Sequence, residues 1–192
     1  MEIKFLNNST VFLKGKKESI LINPTETEIV ENKGFSRIII YTKGDYNDSK
    51  ILNNEKIIIR GGGEYEIGGV EITGVNGEDG NTVYRIVIDG FILVILGKIN
   101  QELTPKRIER IDSTDILLAP TNIGDKCSFK LVKEWAKKWG ANYLIPVIED
   151  EESLKKFLDE ADEEGLEKVD SLKLEKQDEL PDGLEIKLLK NS

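Results

Sequence analysis

The side chains best placed to do chemistry follow an apolar run at 38–41: Thr42-Lys43-Gly44-Asp45-Tyr46-Asn47-Asp48. Asp45, Asn47 and Asp48 carry oxygen donors. With Asp79 they could surround a hard cation such as Mg²⁺ or Ca²⁺. The spacing matches no EF-hand loop, and the adjacent Lys43 ammonium opposes a cation. A solvated polar loop is the plainer reading. An absence constrains the chemistry more: the 192 residues include no histidine. Histidine is the usual general base near neutral pH and the commonest zinc ligand. Ser-His and Cys-His nucleophile systems are therefore excluded, as is every imidazole metal site.

The remaining candidates read as structural. Ser9, Thr10 and Ser128 have no base to activate them. Cys127 precedes a helix start, where thiols can acidify, but without a histidine partner it reads as a packed bystander. Gly61-Gly62-Gly63 is followed by strand-like Glu64-Tyr65-Glu66-Ile67. A phosphate loop needs a helix N-terminus there, and the two carboxylates repel anions, so a turn or bulge is expected. Trp135 and Trp139 share helical spacing with Phe129 and Val132, which indicates core packing rather than a stacking site for a ligand.

The elements that must hold these residues change character along the chain. Early on, short strands are expected at 3–5, 11–13, 20–22, 37–41 and 56–60. Asn23-Pro24 stops the third. Gly68-Gly69 suggests a hairpin, and Asp89-Gly90 between apolar arms at 82–88 and 91–96 a stronger one, since Asp-Gly suits a type I′ turn. Helices follow. Thr104-Pro105 opens one through Ile111. Ser128 caps a second, closed by Gly140. A third spans 153–164 and ends at Gly165. Between them lie strands at 115–118, ending at Pro120, and at 143–145, ended by Pro146. Closing strands are expected at 172–174 and 184–189, with Pro181-Asp182-Gly183 as a turn. Strands first, then alternation with helices, suggest a layered α/β domain over 1–192.

The order of landmarks resembles the metallo-β-lactamase superfamily, in particular its small zinc-dependent-hydrolase-like branch related to ascorbate-6-phosphate lactonase. Phe5-Leu6-Asn7-Asn8-Ser9 and Ile20-Leu21-Ile22-Asn23-Pro24 match the opening strands and the family's Asp-Pro. The 38–48 stretch matches its Thr-His-x-His-x-Asp-His, residues 61–72 its Gly-x-Gly-Glu-Tyr-Glu-Ile segment, and Gly97-Lys98 its Gly-Asp. Asp115 to Pro120 and Ile145-Pro146-Val147-Ile148 match the later strands, the second standing for Ile-Pro-x-His. The match covers roughly residues 1–148 and implies an αββα sandwich and a metal-dependent hydrolase ancestry.

Carried over position by position, the family's metal ligands are replaced. The first two histidines become Lys43 and Asp45. The motif's aspartate becomes Asn47, and its last histidine Asp48. The metal-bridging aspartate becomes Lys98, and the histidine after Pro146 becomes Ile148. A further histidine of some relatives falls near Glu78-Asp79. Lysine ammonium groups cannot bind a cation, but they could put positive charge where metal sat, among Asp45, Asp48 and Asp79.

Charge and composition bound the rest. Lys+Arg is 27 and Asp+Glu 36, giving net charge −9. Such a surface repels phosphate backbones and anionic membranes, so neither nucleic acid nor membrane is expected as a partner. Acidic runs at 149–152 and 159–164 could recruit a basic partner but read as solvated helix face. The single cysteine excludes an internal disulfide and suggests a reducing, cytoplasmic setting. The N-terminal residues alternate like a strand rather than a signal peptide. The reading is a catalytically degenerate member with no metal and no cofactor, acting by binding, assembly or regulation with an unknown partner. The alternatives are a hydrolase of phosphate esters or lactones using a carboxylate-held metal, and a structural homo-oligomer subunit joined through strand edges.

Overall fold

The structure is a computed structural model. It describes residues 1–6, 10–31, 36–43, 56–77, 80–99, 103–121, 128–148 and 150–191. The chain begins with β1 (Glu2–Phe5), β2 (Val11–Lys14), β3 (Ser19–Ile22), α1 (Glu26–Glu31), β4 (Ile38–Tyr41) and β5 (Ile57–Arg60). It continues through β6 (Gly63–Ile67), β7 (Val70–Asn76), β8 (Thr82–Ile88), β9 (Phe91–Ile95), α2 (Pro105–Ile108) and β10 (Ile116–Pro120). The last part holds α3 (Phe129–Trp139), β11 (Tyr143–Val147), α4 (Glu151–Ala161), β12 (Lys168–Val169), β13 (Leu172–Lys173), β14 (Glu185–Ile186) and β15 (Leu188–Leu189).

Two mixed sheets form, in the orders β13-β1-β2-β3-β4-β5 and β14-β11-β10-β9-β8-β7-β6; β12 pairs with β15. Alternation along each strand sends one set of side chains between the sheets. Ile3, Phe5, Leu13, Ile20 and Ile40 meet Ile72, Tyr84, Ile86, Leu93 and Ile145 there. On the outer face of the seven-stranded sheet, Phe129, Val132, Trp135 and Phe157 of α3 and α4 pack on Val83, Val94 and Leu117. On the other outer face, Ile29 of α1 packs on Ile39 and Tyr41. The layers are α, β, β, α, as expected. Strands β4 and β10 are buried throughout because both their faces are covered.

The expected turns hold. Asp89 (φ 54°) and Gly90 (φ 86°) make the β8–β9 hairpin, and Gly68 and Gly69 (φ 61° and 87°) the β6–β7 hairpin. Ser128 accepts from the Leu131 N–H to cap α3, and Gly140 ends it left-handed at φ 73°. Trp135 and Trp139 are buried in the core, their ring centroids 5.9 Å apart.

Several boundaries move. Helix α2 stops at Ile108 rather than Ile111, and Thr104 makes no side-chain cap bond. Helix α4 starts earlier, because the Asp150 carboxylate accepts from the Ser153 N–H. It ends at Ala161, with Asp162 as its left-handed cap (φ 58°); Gly165, also left-handed at φ 70°, lies beyond the helix end. Pro120 is the last residue of β10, as expected, whereas Pro146 lies inside β11, which runs on to Val147. β9 pairs β10 only over Ile116–Leu118, and β14 pairs β11 only at Tyr143 and Leu144. Each proline thus sits where no flanking strand needs its N–H. The expected closing strand at 184–189 divides: Glu185–Ile186 extends the seven-stranded sheet, and Leu188–Leu189 pairs with β12.

Helix α1 was not expected, yet its signal is local. Thr25 and Glu28 form a capping box. The Glu28 N–H donates to Thr25 Oγ1 at 3.3 Å, and the Thr25 N–H donates to Glu28 Oε2 at 2.6 Å. The same buried carboxylate oxygen accepts from the Thr10 hydroxyl at 2.7 Å. Glu28→Ala strips three donors, the Thr25 N–H and the Thr10 and Thr25 hydroxyls, of their acceptor and should cost about 2–3 kcal/mol in urea unfolding. Glu28→Gln, which keeps one carbonyl oxygen, should cost less.

Candidate functional site

The two sheets are joined at one end by backbone. Asn23 follows β3 in the left-handed region (φ 52°), a conformation asparagine tolerates. Its Oδ1 accepts from the Thr42 N–H at 2.8 Å and from the Thr42 hydroxyl at 3.1 Å. Thr42, just past β4, in turn accepts from the Thr82 N–H of β8 at 2.6 Å. Lys43 and Asn81 form an antiparallel bridge. The buried Asn81 carboxamide donates to the Leu96 carbonyl at 2.7 Å. Gly97 completes the junction. At φ 62°, a Cβ on it would lie 2.5 Å from both Thr42 Cβ and Asn81 Oδ1.

Beside this junction opens a cleft of about 300 Å³. Tyr41 and Thr42 line it from β4, Arg60 and Gly61 from β5. Asn76, Gly77, Gly80, Asn81 and Thr82 close it from the β7–β8 connection. The Arg60 guanidinium carbon stands 4.9 Å from the Tyr41 ring centroid. Thr82 Oγ1 donates to Asn76 Oδ1 at 3.1 Å. Gly61-Gly62-Gly63 carries the chain from the edge of one sheet to the edge of the other, as a turn and not as a helix-backed phosphate loop. Gly74 faces that bend so closely that a Cβ on it would come within 2.5 Å of the Gly61 carbonyl.

Tyr84 underlies the cleft. Its hydroxyl donates to the Gly61 carbonyl at 3.1 Å, with the Tyr41 carbonyl 3.3 Å away. Burial, reinforced by nearby Tyr65, pushes its phenol up to about 12 from an ordinary 10.0. Below pH 10 the hydroxyl is protonated in folded and unfolded chains alike. Between pH 10 and about 12 only the unfolded chain gives up the proton, so stability falls across that window. Tyr84→Phe should cost about 1 kcal/mol at neutral pH through the lost hydrogen bond. The cost should shrink as pH rises from 10 to 12, because the variant lacks that titration. Denaturant melts at pH 7, 10 and 11.5 check this.

The positions singled out in sequence fall in three groups. Lys43 and Lys98 directly follow Thr42 and Gly97, which touch, so the fold brings these two lysines to one end of the sandwich. Both side chains are exposed. Ile148 lies just past β11 and is 4% exposed, packed in a cluster with Leu154 of α4 and Leu188 of β15. Asp45, Asn47, Asp48 and Asp79 lie outside the described residues, as does Cys127. Among the described residues, no three His, Cys, Asp or Glu side chains gather as a metal group would require. Arg60, Asn76, Asn81 and Thr82 were not singled out. The Asn76-Gly77 and Gly80-Asn81 steps flanking 78–79 were their available signal.

The Beta-lactamase superfamily domain family model matches residues 2–148, and the chain belongs to this family. In structure it is similar to a metallo-β-lactamase superfamily protein from Thermotoga maritima. That likeness has 21% identity and a TM-score of 0.78 over 98% of each chain. It is also similar to the metallo-β-lactamase fold protein YhfI from Bacillus subtilis, at 11% identity and TM-score 0.62, over 99% of this chain and 96% of that one. The metallo hydrolase Igni18 from Ignicoccus hospitalis superposes with TM-score 0.59 at 13% identity, covering 84% of this chain and 91% of that one. At these identities the likeness concerns the fold. A search of the curated proteins found no match in sequence.

A zinc centre is what the resemblance implies, and the described residues at the positions it matches to metal ligands, Lys43, Lys98 and Ile148, are not zinc-ligand types. Lys43 and Lys98 offer ammonium groups where lone pairs are needed. Ile148 offers an alkyl chain already built into a core cluster. No helix among the described residues is long and apolar enough to cross a membrane.

Proposed function

We propose that this protein is a metallo-β-lactamase-fold member that has lost the zinc centre and works by binding, in assembly or regulation, rather than by metal-dependent hydrolysis. The observation that carries the reading is Ile148. The position that corresponds to the last histidine of the family is part of a hydrophobic cluster with Leu154 and Leu188, 4% exposed. A ligand cannot be restored there without opening that cluster. The exposed Lys43 and Lys98 support it, since two cations at the same end of the fold oppose a dinuclear cation site by Coulomb repulsion. The acidic surface and single cysteine fit a cytoplasmic protein without nucleic-acid or membrane partners.

The rival is a hydrolase that holds metal through Asp45, Asp48 and Asp79. Ligands that bind only the native state raise the melting temperature by mass action. Melting in EDTA and in a series of Zn²⁺, Mn²⁺ and Mg²⁺ concentrations should therefore give one unchanged transition. A metal-dependent rise of several degrees, abolished by Asp45→Asn with Asp48→Asn, would favour the rival.

A further inference from the structure

We propose that two copies of this chain associate through their outer helical layer, α3 of each copy lying over α4 of the other. The proposal rests on the reading above, in which the protein works in assembly, and names the partner as a second copy. Its basis is the division of charge between the two helices. Residues 149–192 hold sixteen acidic and seven basic side chains, a net −9, whereas 1–148 hold twenty of each. The whole acidic excess therefore sits on α4 and the residues that follow it. The C-terminal end of α4 is the negative pole of the helix dipole, where cations stabilise. It has no basic residue in its last turn, and Asp159, Glu160, Asp162, Glu163 and Glu164 are all exposed there. Lys155 and Lys156 stand four residues before Asp159 and Glu160, the weaker order for a helix pair.

The matching cations lie one helix away. Lys133 of α3 reaches across to donate to the Ala161 carbonyl at 3.4 Å. Lys130, Lys137 and Lys138 are exposed beside a single acid of that helix, Glu134, and form no ion pair among the described residues. The two helices run in the same direction, since Phe129 packs on Phe157 and, one turn later in both, Lys133 meets Ala161. A two-fold axis along the furrow between them turns α3 of one copy onto α4 of the other and keeps every residue at its height along the axis. Lys130 then comes level with the 158–159 step, and Lys137 and Lys138 with the acidic stretch just past α4. The contact is isologous, so basic meets acidic twice. A depression of about 270 Å³ beside Glu163 and Glu164, with Leu154 and Leu158 in its lining, offers the lysine stems an apolar seat. Leu131 and Leu158 are otherwise packed into the layer, so the contact is mainly electrostatic and weakens with salt.

The test is sedimentation velocity of the full chain in EDTA, at up to millimolar protein, in about 25 mM and about 300 mM NaCl. A monomer–dimer equilibrium is expected at low salt, with affinity about tenfold or more weaker at high salt. Charge reversal then decides the geometry. Lys137→Glu with Lys138→Glu, and separately Glu163→Lys with Glu164→Lys, should each leave the protein monomeric. An equimolar mixture of the two variants should dimerise again, because both contacts of the mixed pair are complementary. Melting curves verify folding, and Lys138→Glu and Glu164→Lys alone serve if a double variant does not fold. The proposal is overturned if the wild-type chain stays monomeric at low salt, if its dimer ignores salt, or if the reversed variants dimerise by themselves, as pairing through strand edges would allow. It is overturned equally if the mixture stays monomeric. A dimer that forms only after Zn²⁺ is added overturns the metal-free reading too. A monomer with or without metal overturns this assignment alone.

Discussion

Gly97→Ala should lower the stability of the protein by about 2–5 kcal/mol, from two separable causes. The first is backbone. Gly97 sits at φ 62°, where an L side chain costs about 1–2 kcal/mol. The second is space. The new Cβ would lie 2.5 Å from Thr42 Cβ and 2.5 Å from Asn81 Oδ1. Neither neighbour gives way readily. Thr42 is held through its N–H and hydroxyl by Asn23, and Asn81 through its amide by Leu96. Overpacking of that kind costs a further ~1–3 kcal/mol. Gly90→Ala separates the causes. Gly90 has φ 86°, and a Cβ added there would meet nothing within 4 Å, so it should show the backbone cost alone, about 1–2 kcal/mol. Urea unfolding of both variants checks the difference. Equal losses would mean that the Thr42–Asn81–Gly97 contact does not lock the sheet junction.

Ile148→His should cost about 3–4 kcal/mol, and zinc should not restore it. The substitution puts a histidine where the resemblance places one of the family's. Here that position packs against Leu154 and Leu188 at 4% exposure. The change loses part of the burial free energy of isoleucine and leaves an imidazole in an apolar cluster, which costs about 1–3 kcal/mol if its nitrogens find no partner. Protonation worsens the loss, so the variant should become less stable still below about pH 6. Unfolding at pH 7.5 with EDTA, then with Zn²⁺, measures both points. Recovery of more than about 1 kcal/mol with zinc would mean that a usable ligand set survives around this residue.

Much of the architecture could be read from local patterns, and the reasons are specific. Asp89-Gly90 and Gly68-Gly69 encode turns whose positive φ values few other residue pairs accept. Ser128 and Gly140 bracket a helix with its apolar face at 129, 132, 135, 136 and 139, and α3 has those bounds. The errors lie where tertiary context overrules local chemistry. Pro146 looks like a stop until one knows that β14 pairs β11 only at Tyr143 and Leu144 and does not need the missing N–H. Thr25 and Glu28 cap α1 through a box that the preceding Asn23-Pro24 obscured. The segment 184–189 reads as one strand, but its halves join different partners.

The candidate site was less legible. Lys43, Lys98 and Ile148 stood out only through resemblance to a family, because an ammonium or an isoleucine carries no signal of its own. The cleft is built from β4, β5 and the β7–β8 connection, about forty residues from first to last in sequence. Arg60 and Asn76 meet there because β5 and β7 belong to different sheets that converge at the glycine bend. No spacing rule along one strand or helix would pair them.

The most direct measurement is elemental: express the protein in zinc-supplemented medium, purify it without chelators, and count metal atoms per chain by plasma mass spectrometry. The account predicts far less than one transition-metal ion per chain, unchanged in Asp45→Asn or Asp48→Asn variants. One or two ions per chain, retained through dialysis and lost in those variants, would contradict it.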